Sequence, residues 1–101
     1  MLRDLMLGFV KLHILYHAGR EPVYGTGLQV ELSRHGYRIG PGTLYPTLHA
    51  LEEEGYLERT ERIVGGRIRK YYTLTPKGEA ALEEARTKAL ELVAEISGED
   101  R

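Results

Sequence analysis

The sequence contains no cysteine and no tryptophan, a single phenylalanine and four prolines. Without thiols the chain forms neither a disulfide nor a thiolate metal centre. Without an indole it lacks the largest aromatic plane on which a flat ligand could stack. Serine is also scarce: Ser33 and Ser97 are the two present, and neither sits in a nucleophile motif. No phosphate-binding glycine loop and no acid pair with a plausible cleft replaces them. The glycines of "YGTG" fall inside a helical pattern rather than between a strand and a helix. An enzyme is therefore not expected. Long hydrophobic runs are missing as well. The apolar N-terminus "MLRDLMLGFVKLHILYHAGR" is broken by Arg3, Asp4, Lys11 and two histidines, and no small-residue cleavage site follows. Neither a membrane span nor a secretory leader is expected, and a cytoplasmic protein is.

Net charge is nearly absent too, at −1, but the average conceals a division. Residues 59–77 hold Arg59, Arg62, Arg67, Arg69, Lys70 and Lys77 against Glu61 alone, a local charge of +5. Residues 79–100 hold seven acidic residues against Arg86 and Lys88, a local charge of −5. A basic segment beside an acidic one separates a surface that meets an anion from one that avoids it. What remains is 101 residues, 42% of them hydrophobic, enough for one domain or one domain with an appended helix. A chain this short has much surface for its volume, so a helix with a second apolar face finds its best partner in another copy of the chain.

Residues 2–17 carry two apolar rows, Leu2, Leu5, Phe9, Leu12 and Tyr16 on one side and Leu7, Val10 and Ile14 on the other. Together they are too wide for one core-facing stripe, which predicts a helix buried on two sides. Gly19 is its expected stop. Residues 24–35 predict a second, weaker helix on Leu28 and Leu32. Gly25 and Gly27 lower its propensity by about 1 kcal/mol each and fit a close approach of a neighbouring backbone or a phosphate. Residues 41–54 predict a third helix, closed by Gly55. The period then changes from 3.6 to 2. Two alternating runs flank Val64-Gly65-Gly66, a hairpin signal, with Ile68, Lys70, Tyr72 and Leu74 on one face and Arg67, Arg69, Tyr71 and Thr73 on the other. Thr75-Pro76 reads as N-cap and first residue of a fourth helix, in which Leu82, Ala85, Ala89, Leu92 and Ile96 form a heptad seam.

Three helices, a two-stranded wing and a C-terminal dimerisation helix define a mainly α (α+β) winged helix-turn-helix. The expected division is 1–75 for the DNA-binding domain, 76–97 for the dimerisation helix and 98–101 for a disordered tail. The third helix is the element such domains lay in the major groove. Its stretch "PGTLYPTLHALEEEGYL" seats Leu44, Leu48 and Leu51 inward and leaves Thr43, Tyr45, Pro46, Thr47 and His49 as candidate DNA contacts, helped by the positive dipole end of the helix. Arg67, Arg69 and Lys70 of the wing are the candidate phosphate or minor-groove contacts. Taken alone, each signal has a plainer reading: Tyr45 as a core residue, the wing cations as a solvated sheet edge. Of Tyr71 and Tyr72, one is expected in the core and one on the surface. The order of elements and the charge division together favour duplex DNA as the partner. A winged helix binding RNA or a protein is the alternative.

"GPGTLYPTLHALEEEGYL" followed by "GGRIRKYYTLTPKG" resembles the PadR family of bacterial and archaeal transcriptional regulators, over roughly residues 5–95. The resemblance implies a dimeric DNA-binding repressor. It aligns Tyr45 and Pro46 with the family's recognition-helix tyrosine and proline, and Arg67, Arg69 and Lys70 with its basic wing. "YGTGL" departs from the family's glycine-tyrosine-glutamate run, and the single short C-terminal helix is similar to the subfamily without a larger effector domain. The expected homodimer uses Leu82, Ala85, Ala89, Leu92 and Ile96 with Leu5, Phe9 and Leu12, or with the opposite row Leu7, Val10 and Ile14. A small-molecule effector, if the protein takes one, is expected at that interface. His13 and His17, four apart, have the spacing of a two-histidine metal site, but no cysteine or carboxylate cluster nearby in sequence completes the ligands. No metal and no other cofactor is expected.

Overall fold

The computed structural model describes residues 2–98, so most of the expected disordered tail over 98–101 lies outside the described residues. Four helices and one hairpin follow in the order α1 (Leu2–Arg20), α2 (Gly25–Arg34), α3 (Pro41–Glu53), β1 (Leu57–Val64), β2 (Arg67–Leu74) and α4 (Pro76–Ser97). This is the winged helix-turn-helix order with an added C-terminal helix.

The two apolar rows of α1 have different fates. Val10 and Ile14 are buried in the core with Leu15 and Ala18, and Leu7 packs against it. The row Leu2, Leu5, Phe9 and Tyr16 faces outward. Gly19 does not stop the helix; it lies inside it and continues to Arg20 before Pro22. Its small size serves packing instead, because a Cβ there would stand 2.9 Å from a methyl of Leu74. The core is completed by Leu28 and Leu32 of α2, Leu44, Leu48 and Leu51 of α3, Leu57 of β1 and Tyr72 of β2. The three leucines that seat α3 are almost wholly enclosed, so the axis of that helix is fixed by close packing.

β1 and β2 pair antiparallel from Leu57 opposite Leu74 to Val64 opposite Arg67, joined by Gly65 and Gly66. Both glycines have positive φ, 58° and 79°, the requirement of a two-residue hairpin turn whose twist suits the strands. A third strand position, which the sequence pattern did not reveal, comes from Val23. Its N–H donates to the Tyr72 carbonyl at 3.0 Å and its carbonyl accepts from the Tyr72 N–H at 2.7 Å. This stub ties the wing to the start of α2. The wing root is fixed again at the junction with α4, where the Thr75 hydroxyl accepts from the Gly78 N–H at 3.0 Å and donates to the Gly55 carbonyl. Gly78 is buried there because any Cβ would collide with the Tyr56 carbonyl and Leu74. Gly98, at φ 74°, closes α4 in the left-handed conformation.

Candidate nucleic-acid interface

α3 begins with Pro41 after an N-cap, Gly40, that offers no side-chain hydrogen bond to the first turn. Pro41 has no N–H and the Thr43 and Leu44 N–H groups donate to the Gly40 carbonyl, so the first turn offers the Gly42 N–H at the positive end of the helix dipole. Pro46 stands in the second turn, deeper than its ring is usually tolerated. Lacking an N–H, it leaves the Gly42 carbonyl without its helical donor. Thr47, next along, is 7% exposed, and its hydroxyl donates to the Thr43 carbonyl at 2.7 Å. Thr47 therefore does not join the outward set expected of it: its side chain is buried and its oxygen is spent inside the helix. Thr43 is half-buried, and its hydroxyl accepts from the Arg3 guanidinium at 3.1 Å. Arg3 thus adds a cation beside the start of α3. Tyr45, Pro46 and His49 are exposed. His49 Nδ1 lies 3.7 Å from a carboxylate oxygen of Glu52, which also faces the Arg59 guanidinium at 3.6 Å.

Tyr45 is 46% exposed, and its ring lies across the space that a side chain at Gly25 would occupy. A Cβ on Gly25 would come within 2.6 Å of the Tyr45 ring, so a buried glycine is required at the first position of α2. The neighbour that must approach closely is a tyrosine ring, not a phosphate. From Gly25 the surface continues into the wing. The Tyr24 ring, 5.5 Å from that of Tyr71 and edge-on to it, supports the Arg69 guanidinium 4.3 Å above its centroid. Arg69 also donates to the Tyr71 hydroxyl at 3.5 Å. Arg62 lies 4.7 Å over the Tyr71 ring. Such stacking holds a guanidinium in place while leaving its edge N–H groups free to donate.

The strand register divides the basic wing. Arg62 stands opposite Arg69, and Val64 opposite Arg67, so Arg62, Arg67 and Arg69 share the face that carries Tyr71. Lys70 points to the other face, opposite Glu61 and on the side of Tyr72. The expected trio of Arg67, Arg69 and Lys70 is thus two arginines on one face and a lysine on the other, with Arg62 as the third arginine. The two-residue turn at Gly65-Gly66 was the signal that could have found Arg62, because it fixes which residues oppose each other. Tyr24 and Gly25 carried no such signal; only the tertiary fold brings them to Tyr45 and Arg69. Tyr72 is buried and Tyr71 half-exposed, one core and one surface residue as expected.

A short helix-turn-helix carrying a basic two-stranded wing defines a DNA-binding class of fold. Residues 14–84 match the Transcriptional regulator PadR-like family. The chain is 52% identical over 97 residues to transcriptional regulator Rv3488 of Mycobacterium tuberculosis, covering 96% of this chain and 91% of that protein. A PadR family transcriptional regulator from Eggerthella lenta superposes with a TM-score of 0.84 at 33% identity, covering 97% of this chain and 87% of that one. A PadR-like transcriptional regulator from Bacillus cereus does so with a TM-score of 0.85 at 31% identity, covering 94% of each. The chain belongs to the PadR-like family of transcriptional regulators, proteins that bind DNA and are not enzymes. Among the described residues no helix is long and apolar enough to cross a membrane.

Proposed function

We propose that the protein acts in the cytoplasm as a homodimeric repressor that covers an inverted-repeat operator, with α3 in the major groove and the arginine face of the wing on the flanking backbone or minor groove. The observation that carries this reading is the unbroken run of contacts from α3 to the wing, Tyr45 on Gly25 and Arg69 on Tyr24. It makes one surface of the α3 start, the α2 start and three arginines. Tyr45, Pro46 and His49 supply side chains of differing reach to base edges, and Thr43 with Arg3 supplies phosphate contacts at the helix start. Lys70, on the far face of the wing, adds a more distant phosphate contact.

The dimer reading rests on the apolar surface left over by the protomer. Leu5, Phe9, Leu92 and Ile96 are exposed, Ile96 at 77%, together with Leu2, Leu90 and Val93. Leu82 packs against the protomer's own core, while Ala85 and Ala89 border an apolar groove with Phe9 and Leu12. The seam therefore divides by function: its first half holds α4 to α1, and its second half is free for a partner. Of the two α1 rows, the one with Leu5 and Phe9 is available and the one with Val10 and Ile14 is not. A two-fold dimer through this surface sets two copies of α3 about 34 Å apart, one turn of duplex.

Selection of bound sequences from a random duplex pool tests the proposal. Enrichment of an inverted repeat with half-sites about one turn apart is expected. Binding should be salt-dependent, falling about 10³- to 10⁵-fold between 50 and 200 mM salt for six to ten phosphate contacts. No enrichment, or a preference for single strands in competition, would overturn it.

A further inference from the structure

The fold completes what the sequence left as half a motif. His13 and His17 project from α1 toward the end of α2, where His35 and Glu31 meet them. One nitrogen from each of the three imidazoles lies within 4.8 Å of the other two. The rings of His13 and His35 stack at 4.6 Å, and Tyr37 meets His13 edge-on at 5.3 Å. Glu31 turns one oxygen toward this group, 3.8 Å from His17 Nε2 and 3.9 Å from His35 Nε2, too far to be a hydrogen bond to either. Its other oxygen accepts from Arg34 at 3.1 Å, which fixes the carboxylate. His17 Nε2 is buried and has no hydrogen-bond partner among the described residues. A buried imidazole nitrogen facing two further imidazoles and an oriented carboxylate is costly as it stands and calls for something that binds it.

We propose that His13, His17, His35 and Glu31 form a binding site for a divalent transition-metal ion, with three nitrogen ligands and one oxygen. The donor set suits borderline cations such as Zn²⁺, Co²⁺ or Ni²⁺ rather than Mg²⁺ or Ca²⁺, which take oxygen. Nitrogen ligands at about 2.0–2.1 Å in a tetrahedral site stand roughly 3.4 Å apart, so the cluster closes by somewhat over an ångström on binding. His35, at the exposed C-cap of α2, is the ligand free to make that move. Burial, with the neighbouring imidazoles of His35 and His17, pushes the pKa of His13 below its ordinary value, although Glu31 opposes them. Arg86 of α4 lines the adjacent groove without a place among the donors.

The position gives the ion leverage. It ties α1 to the C-terminal end of α2, and the other end of α2 carries the contacts of Tyr24 and Gly25 with Arg69 and Tyr45. The histidines also border the groove of Phe9, Leu12 and Leu82 between α1 and α4, beside the exposed surface proposed for the dimer. An ion that draws α2 toward α1 therefore acts on both surfaces, which makes a metal the class of effector that fits this chain. This regulatory consequence rests on the DNA-binding reading; the metal site does not.

The test uses tag-free full-length protein and Zn²⁺ or Co²⁺ alone, without DNA. Calorimetry should give one Zn²⁺ per chain, and Co²⁺ should give the intense visible absorption of a four-coordinate site. His17→Ala and His35→Ala should each abolish that spectrum, and Glu31→Gln should weaken Zn²⁺ binding by about 10–100-fold. His49→Ala removes the one histidine outside the cluster and should leave metal binding unchanged. Wild-type binding no tighter than that of the His13→Ala/His17→Ala/His35→Ala variant, with all variants keeping their helical circular dichroism, would overturn the site. Duplex affinity with and without Zn²⁺ reads the second step. A change lost in His17→Ala supports the effector role, and equal affinities with Zn²⁺ bound would overturn that role while leaving the site.

Discussion

The surface around α3 and the surface along α1 and α4 are made by opposite means. Around α3 the exposed groups are tyrosine, histidine and arginine, and three of them lie against a neighbour: Tyr45 on Gly25, Arg69 on Tyr24 and Arg62 on Tyr71. Along α1 and α4 Leu2, Leu5, Phe9, Leu92, Val93 and Ile96 are exposed among the described residues. The first surface is ordered before any partner arrives, so its polar groups lose little freedom on binding. The second is an apolar patch that water penalises until a partner covers it. One is built for recognition and the other for association.

The largest effect is expected from breaking the association surface. Leu92→Asp puts a charge where the proposed seam excludes water, yet Leu92 is 53% exposed in the protomer, so the single chain should still fold. Sedimentation should show a monomer with unchanged helical circular dichroism, and operator affinity should fall about 10²- to 10⁴-fold as the two half-sites lose their linkage. An intact dimer would remove this surface from the interface.

On the recognition surface, Arg62→Ala and Arg67→Ala should weaken binding to all duplexes alike. Each removes two phosphate contacts per dimer and should lower the slope of log affinity against log salt by about two. Lys70→Ala, on the other face of the wing, should change the slope less. An equal change for Lys70 would mean that the wing does not present a single face to DNA.

Gly25→Ala probes how Tyr45 is held. The added methyl collides with the ring, which should destabilise the fold by about 1–3 kcal/mol and weaken DNA binding together. In a Tyr45→Ala background the same change should be much milder in thermal unfolding. Without that relief, Tyr45 is not what Gly25 accommodates.

Two neighbours on α3 sharpen the comparison within one helix. His49→Ala should relax preference at particular base pairs by about 1–3 kcal/mol, whereas Thr47→Val, with its hydroxyl already bonded to Thr43, should leave base preference unchanged. A selection experiment on each variant reads the difference directly. The smallest effect is on neither surface. Thr75→Ala removes the cap of α4 and should cost about 0.5–2 kcal/mol in denaturant unfolding with little change in operator affinity.

Much of this architecture was legible because its signals are local. The period of 3.6 in α1 and α4, the Gly-Gly turn, the Thr75-Pro76 start and the glycine at 55 depend on residues close in sequence, and the elements formed where those signals lay. Leu44, Leu48 and Leu51 were likewise readable as the seated face of α3, since the helical period alone puts them on one side. Gly19 misled because a glycine near a helix end reads as a stop, while here the constraint was the Leu74 side chain from another element. Thr47 misled because a helical wheel assigns direction but not depth.

The sequence by itself determined the order of elements, the basic wing and the helix that the wing flanks, because backbone preference and hydrophobic period act over a few residues. Only the tertiary structure decided which row of α1 faces the core, which arginines share a face, and which partner Gly25 accommodates. It alone brought His35 and Glu31 to His13 and His17, across turns whose closure no local period encodes. Such contacts are chosen by the packing of the whole core, in which Ile14, Leu28, Leu32, Leu44 and Leu48 fill one volume and every surface group takes the position that filling leaves to it.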